Sequence, residues 1–123
     1  MLKLCKDIDV DVMPGASDFS GAFMPQQPLN SCLFPKLAEA KLNSLNLVTN
    51  PHQFQMNGLT MLGISGQNIE DMRRNRLEES EMATAMHCLE MRHLCPTSPD
   101  TLRVHPFKDS DPFVIAERDL CLA

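Results

Sequence analysis

"VDVMPGASDFSG", residues Val10–Gly21, is the stretch on which the reading of this chain turns. Over Ile8–Met13, the apolar Ile8, Val10 and Val12 alternate with Asp9 and Asp11. That is the period-two pattern of a strand with one face buried. Pro14-Gly15 stops the run, because proline cannot donate to a ladder and glycine turns freely. The strand therefore delivers Gly15, Ala16, Ser17 and Asp18 to a loop at a sheet edge, where α/β folds keep their ligand-binding groups.

Outward from this loop the pattern is uneven. Residues 16–35 read as a loop, carrying Pro25, Pro28 and Pro35 with no period. Such length without regular structure fits a functional loop or one that wraps a larger body. Leu37–Leu42 has the spacing of one or two helical turns. Leu45, Leu47 and Val48 suggest a short strand that ends at Thr49-Asn50-Pro51. Phe54–Met56, Asn57-Gly58 and Leu59–Gly63 predict a tight hairpin, since Asn-Gly accepts positive φ at both central positions of a type I′ turn. Asn68 is placed to cap a short helix with Asp71 in its first turn. A longer helix is expected over Leu77–His93. Met82, Met86, Leu89 and His93 would line one of its faces, with Glu78, Glu79 and Glu81 at its start and Arg92 and His93 at its end. Pro96 and Pro99 prevent its continuation. Val114 and Ile115 could open a last strand.

The chain has 123 residues, enough for one domain. Hydrophobic residues make up 43% and charged residues 22%, the balance of a globular chain rather than a disordered one. With six Phe, no Trp or Tyr, and nine Met, the core should be adaptable rather than ring-filled. Net charge is −5, which argues against autonomous binding to nucleic-acid phosphates. The cluster Arg73, Arg74 and Arg76 reads as a solvated helix end. Cys5, Cys32, Cys88, Cys95 and Cys121 are odd in number and irregularly spaced, which suggests reduced thiols of an intracellular protein. The first residues lack the apolar stretch of a signal peptide, and no apolar run approaches the ~18 residues of a membrane span. The expectation is a soluble protein.

Few chemical motifs survive inspection. His87, Cys88, His93 and Cys95 lie close in sequence. Positions 87 and 93, however, point about 120° away from a shared helix face, which is poor zinc-ligand spacing. A Cys–His nucleophile would need a base brought near in space. Gly63-Ile64-Ser65-Gly66 is one residue short of the GxSxG elbow, and phosphate-binding glycine loops are absent. The opening loop remains. Two-metal phosphoesterases place Gly-Asn-His-Asp or Gly-Asn-His-Glu after a strand, where the Asn oxygen and His nitrogen reach metal and phosphate. Here Ala16 has no donor atom, and Ser17 is a poor ligand beside a neutral imidazole.

Val10–Gly15, Pro25–Leu29, Cys32–Pro35, Leu47–Pro51, Leu62–Asn68, Arg92-His93, Pro96–Leu102, Pro106-Phe107 and Asp111–Phe113 follow one another as motifs do in the DNA polymerase alpha/delta/epsilon B-subunit family, delta branch, which this chain resembles. The resemblance covers roughly Val10 to Ile115. It implies an α/β (α+β) chain, part of a calcineurin-like phosphoesterase fold with two packed sheets flanked by helices. It further implies a partial, inactive phosphoesterase-like domain over 1–115 and a divergent tail over 116–123, with the domain truncated at both ends. Active archaeal relatives carry Asn and His where this chain has Ala16 and Ser17, and His before Gly where it has Ser65-Gly66. Gly15, Ala16, Ser17, Asp18, Ser65 and Gly66 are thus expected to be the outline of a degenerate site, with no catalytic residue, metal or cofactor. The implied role is a non-catalytic accessory subunit in DNA replication in the nucleus. It would bind the catalytic subunit of DNA polymerase delta and other accessory subunits, and meet DNA only through the complex. A metal-dependent phosphodiesterase or nuclease and a stand-alone interaction protein are the alternatives. A partial domain would also leave strand edges and the Met-bearing helix face uncovered.

Overall fold

β1 (Val10–Val12) lies parallel to β2 (Leu45–Leu47) in the computed structural model, which describes residues 3–36, 43–75 and 80–115. Val10 faces Leu45 and Val12 faces Leu47, so the alternation of the sequence sets the register. The strand is shorter than Ile8–Met13. Ile8 N–H closes the one-turn helix α1 (Leu4–Asp7) onto the Leu4 carbonyl, and Ile8 is exposed. Val10 N–H then donates to Ser44 O (2.7 Å), and Val48 N–H to Val12 O (3.0 Å). Ser44 Oγ donates to the Cys5 carbonyl and so ties α1 to the start of β2.

The expected hairpin is present. β3 (His52–Met56) and β4 (Leu59–Gly63) are antiparallel, with Phe54 opposite Met61 and Met56 opposite Leu59. Asn57 and Gly58 have φ of 52° and 79°, as a type I′ turn requires. Asp11 links the two sheets. Its carboxylate accepts from Asn46 Nδ2 at 2.9 Å within the first sheet and lies 3.4 Å from His52 Nε2 of β3.

Gly66, at φ +83°, turns the chain out of β4 into α2 (Gln67–Asn75). Asn68 is therefore not a cap. It is the second residue of α2, buried, with Nδ2 donating to Leu94 O at 2.6 Å. The helix α3 (Glu81–Glu90) is capped by Ser80, whose Oγ accepts the Ala83 N–H. The expected start at Leu77 falls outside the described residues, as do Leu37–Leu42, Arg76, Glu78, Glu79, Cys121 and the 116–123 tail.

α3 ends before His93. Arg92 takes a left-handed conformation (φ 51°), Arg92 N–H donates to Leu89 O, and His93 N–H donates to Cys88 O. This paired closure is the Schellman arrangement, with arginine where glycine is usual. His93 thus leaves the helical spiral, and the expected Met82–His93 face is split. Met82 and Met86 are exposed, at 72% and 54%, while Thr84 and Cys88 form the buried stripe against α2, with Cys88 Sγ 3.3 Å from Met72 Sδ. The ridge of i, i+4 residues that packs is the small one, because small side chains let the two helices approach.

Core residues come from widely separated segments. Met24, Leu94, Cys95, Phe113 and Ile115 are buried together, with Leu62, Leu89 and Val104 against them. Each large apolar side chain so buried contributes about 1.5–3 kcal/mol. Met24 is held by Met24 N–H to Arg103 O and by His105 N–H to Met24 O. Val114, expected to open a strand, makes a single antiparallel bridge with His93, flanked by Leu94 N–H to Phe113 O and Ile115 N–H to Arg92 O. Among the described residues the chain is a mixed α/β arrangement of two two-stranded sheets and three α-helices.

Candidate functional site

The Gly15–Asp18 loop is folded onto itself. Asp18 Oδ2 accepts the Gly15 N–H at 2.8 Å, and Asp18 N–H returns to Gly15 O at 3.4 Å. Ala16, Ser17 and Asp18 are exposed. This is the local side-chain-to-backbone bonding that short acidic residues make in turns.

Gly15 and Ser65, fifty residues apart in sequence, are joined through an amide cluster that sequence reasoning did not single out. Gln26 Nε2 donates to Gly15 O (3.3 Å) and Gly21 O (3.0 Å). Its Oε1 accepts from Asn50 Nδ2 (2.7 Å) and Gln67 Nε2 (2.8 Å). Asn50 Nδ2 also reaches Ser65 Oγ at 2.7 Å, and Asn50 Oδ1 accepts the Ser65 N–H at 3.3 Å. The backbones of Gln26 and Asn50 exchange both hydrogen bonds, at 2.7 and 3.1 Å. Gln26 and Asn50 are 3% and 0% exposed, so each amide must satisfy its polar atoms inside the protein, and these contacts do so. The sequence carried one signal for them: each amide adjoins a proline, Pro25-Gln26 and Asn50-Pro51, which fixes the local backbone.

Asp71 was expected to serve the dipole of its helix. Its carboxylate instead collects hydroxyls from the next motif: Oδ2 accepts from Thr97 at 2.6 Å and Thr101 at 2.5 Å. This ties α2 to the 97–101 turn.

The other candidates do not converge. Among the described residues no three His, Cys, Asp or Glu side chains are grouped to hold a metal ion. His87 Nδ1 lies 3.0 Å from Glu90 Oε2. His93 Nδ1 accepts the backbone N–H of Cys95, which leaves its proton on Nε2, 2.8 Å from Asp111 Oδ2. Burial raises the Cys88 thiol above its ordinary range. Burial, then Cys88, Asp111 and Asp71, push Cys95 up to about 12. Thiols held neutral in this way are poor nucleophiles, which argues against Cys88 and Cys95 in a Cys–His pair. Cys5, Cys32, Cys88 and Cys95 are free thiols. Arg73 and Arg74 pair on the surface with Glu81 (2.7 Å) and Glu70 (3.0 Å).

The family model for the B-subunit of DNA polymerases alpha and epsilon matches residues 1–119. The chain is 42% identical over 113 residues to the DNA polymerase delta small subunit of Arabidopsis thaliana, covering 92% of this chain and 25% of that protein. It is 36% identical over 115 residues to the DNA polymerase delta small subunit of Oryza sativa subsp. japonica, covering 94% and 26%. To the DNA polymerase delta small subunit of Saccharomyces cerevisiae it is 38% identical over 136 aligned residues, covering 88% and 28%. The chain spans about a quarter of the length of these curated relatives.

Proposed function

The chain belongs to the DNA polymerase alpha/epsilon B-subunit family, and on that premise we propose that it is a non-catalytic part of a replicative polymerase accessory subunit of the delta type. In this reading it forms part of a calcineurin-like phosphoesterase domain that has lost its activity. It works in the nucleus by holding the catalytic subunit of DNA polymerase delta, and reaches DNA only through that complex. The observation that carries the reading is the direction of the polar groups at Gly15–Asp18 and Ser65. Phosphodiester hydrolysis by a metal pair needs several open oxygen and nitrogen donors converging on one point. Here Asp18 Oδ2 turns to its own loop's N–H, Ser65 is taken up by Asn50, and among the described residues no three His, Cys, Asp or Glu side chains group to hold a metal ion. Cross-linking of loops, not chemistry, is what such an arrangement supports.

Co-expression of the chain with the catalytic subunit of DNA polymerase delta tests this reading. The chain is expected to co-elute with that subunit through affinity and size-exclusion steps, and separate elution overturns the reading. Manganese-stimulated hydrolysis of a nitrophenyl phosphodiester is expected to stay at the buffer rate. Turnover abolished by Asp18→Ala would restore the phosphodiesterase alternative.

A further inference from the structure

A cavity of about 540 Å³ lies between the turn that follows His93 and the segment from Val104 to Phe113. Pro96, Pro99, Pro106 and Pro112 wall it. Proline has no N–H, so these walls offer ring methylenes and carbonyl oxygens but no backbone donor. Of the polar side chains, Ser98 leans the same way, while His105 and Ser110 also line the cavity and each can donate or accept. Ser98 Oγ gives its proton to Cys95 O at 2.7 Å, which leaves its lone pairs as acceptors. His93 Nδ1 is occupied by the Cys95 N–H.

Among the described lining residues, Asp111 is the single Asp, Glu, Lys or Arg. Its carboxylate is half-exposed, accepting His93 Nε2 on Oδ2 (2.8 Å) and the Phe113 N–H on Oδ1 (2.9 Å). Those two bonds hold its carboxyl below the ordinary range and keep it charged. Each carboxylate oxygen retains a second lone-pair direction for an outside donor. Phe107 lines the same cavity and is 49% exposed, so its ring is available to a cation. The chain's own nearby cations, Arg103 and Lys108, do not line it.

The cavity thus combines one half-exposed carboxylate with flat apolar surfaces and proline walls that carry no backbone donor. A guanidinium is the complementary group. It is planar, cationic and weakly hydrated, with five donors and no acceptor. An ammonium is compact and strongly hydrated, and gains less from proline and phenyl walls. We propose that this cavity binds an arginine side chain from an exposed segment of a partner protein, the guanidinium on Asp111 and its face against Phe107. The volume falls within the usual ~300–1,000 Å³ of ligand sites and leaves room for the residues flanking the arginine. Recognition of a guanidinium needs only this cavity and stands apart from the polymerase reading.

NMR titration of the full chain with acetyl-Gly-Arg-Gly-amide, and with its citrulline and lysine counterparts, tests the proposal on the Phe107 ring and His93 imidazole signals. The arginine peptide is expected to give saturable shifts in about the millimolar range. The citrulline and lysine peptides should bind at least about tenfold more weakly, a difference on the scale of one lost charge-assisted contact. Asp111→Asn should weaken arginine binding about tenfold. Because Asp111 also anchors the Phe113 backbone, Phe107→Ala is the second variant, expected to lower affinity several-fold with the remaining amide spectrum unchanged. Absence of saturable shifts overturns the proposal. So do equal binding of the citrulline or lysine peptide, shifts confined to residues outside the cavity, and an unaffected Phe107→Ala.

Discussion

The amide cluster around Gln26 and Asn50 and the carboxylate cluster around Asp71 are both buried, and both tie distant loops together, yet they are built differently. A primary amide donates and accepts at once, so Gln26 and Asn50 can join the 15–21 loop, the Met24–Gln26 segment and the turn at Ser65–Gln67 in one network. Asp71 presents only acceptors to its partners. It collects two hydroxyls from a single turn, both on Oδ2. The difference is one of redundancy. When Asn50 is removed, Gln26 Oε1 keeps Gln67 and Nε2 keeps two carbonyls. When Thr97 and Thr101 lose their hydroxyls, a buried carboxylate oxygen loses both of these donors.

This contrast orders the expected losses. Thr97→Val combined with Thr101→Val is nearly isosteric and removes only the donors. Stability should fall by about 3–5 kcal/mol, the range for stripping partners from a buried charged group. Urea denaturation of the double variant measures it. A loss under about 1 kcal/mol would mean that water reaches the carboxylate, and the contrast between the clusters would collapse.

Asn50→Ala should do less, about 2–3 kcal/mol, because two neighbours of Asn50 lose a partner while Gln26 remains paired. The effect should also be localised. Hydrogen exchange at the Ser65 amide, whose acceptor is Asn50 Oδ1, should accelerate, while the Phe54 and Met61 amides of the hairpin remain protected. Uniform acceleration across the hairpin would show that the cluster supports the whole fold and not one junction.

What was legible in the sequence divides along the same physical line. The hairpin was legible because Asn57-Gly58 is a local code, with both turn residues and both strands within a dozen positions. The β1 strand was legible from the alternation of Val10 and Val12 with Asp11, although its partner β2 lies more than thirty residues on. At the Gly15–Asp18 loop, residue type alone says that Ala16 offers no donor atom. Asn68 was misassigned because a cap preference is a weak local rule: the helix already begins at Gln67, and inside it Asn68 Nδ2 donates to the buried Leu94 carbonyl. The Met82–His93 face was misdrawn because nothing local announces that Arg92 will adopt positive φ where glycine is the usual choice. Gln26, Asn50 and Asp71 were missed as structural hubs for one shared reason. Most of their partners are distant, up to forty-one residues away, and a buried polar side chain looks in sequence like an exposed one.

The smallest expected effect belongs to a carboxylate outside both clusters. Asp111 is half-exposed, and its carboxyl is held below the ordinary 3.8, first by the hydrogen bond from His93 and then by the Phe113 N–H. A group whose folded pKa is depressed stabilises the fold above its unfolded pKa, and that contribution is lost as pH falls through the folded value. The wild-type chain should therefore gain from Asp111 near neutrality and lose that gain below about pH 4. Solvent screening keeps the contribution under about 1 kcal/mol. Thermal melts of wild type and Asp111→Asn from pH 7 downward should start slightly apart and converge in acid. Curves that stay parallel would mean that His93 and Phe113 hold Asp111 by geometry alone, with no charge involved. Curves that diverge in acid would reverse the sign of the linkage. Convergence would complete a graded series in which exposure, redundancy and charge set what each polar anchor contributes, from Asp111 through Asn50 to Asp71.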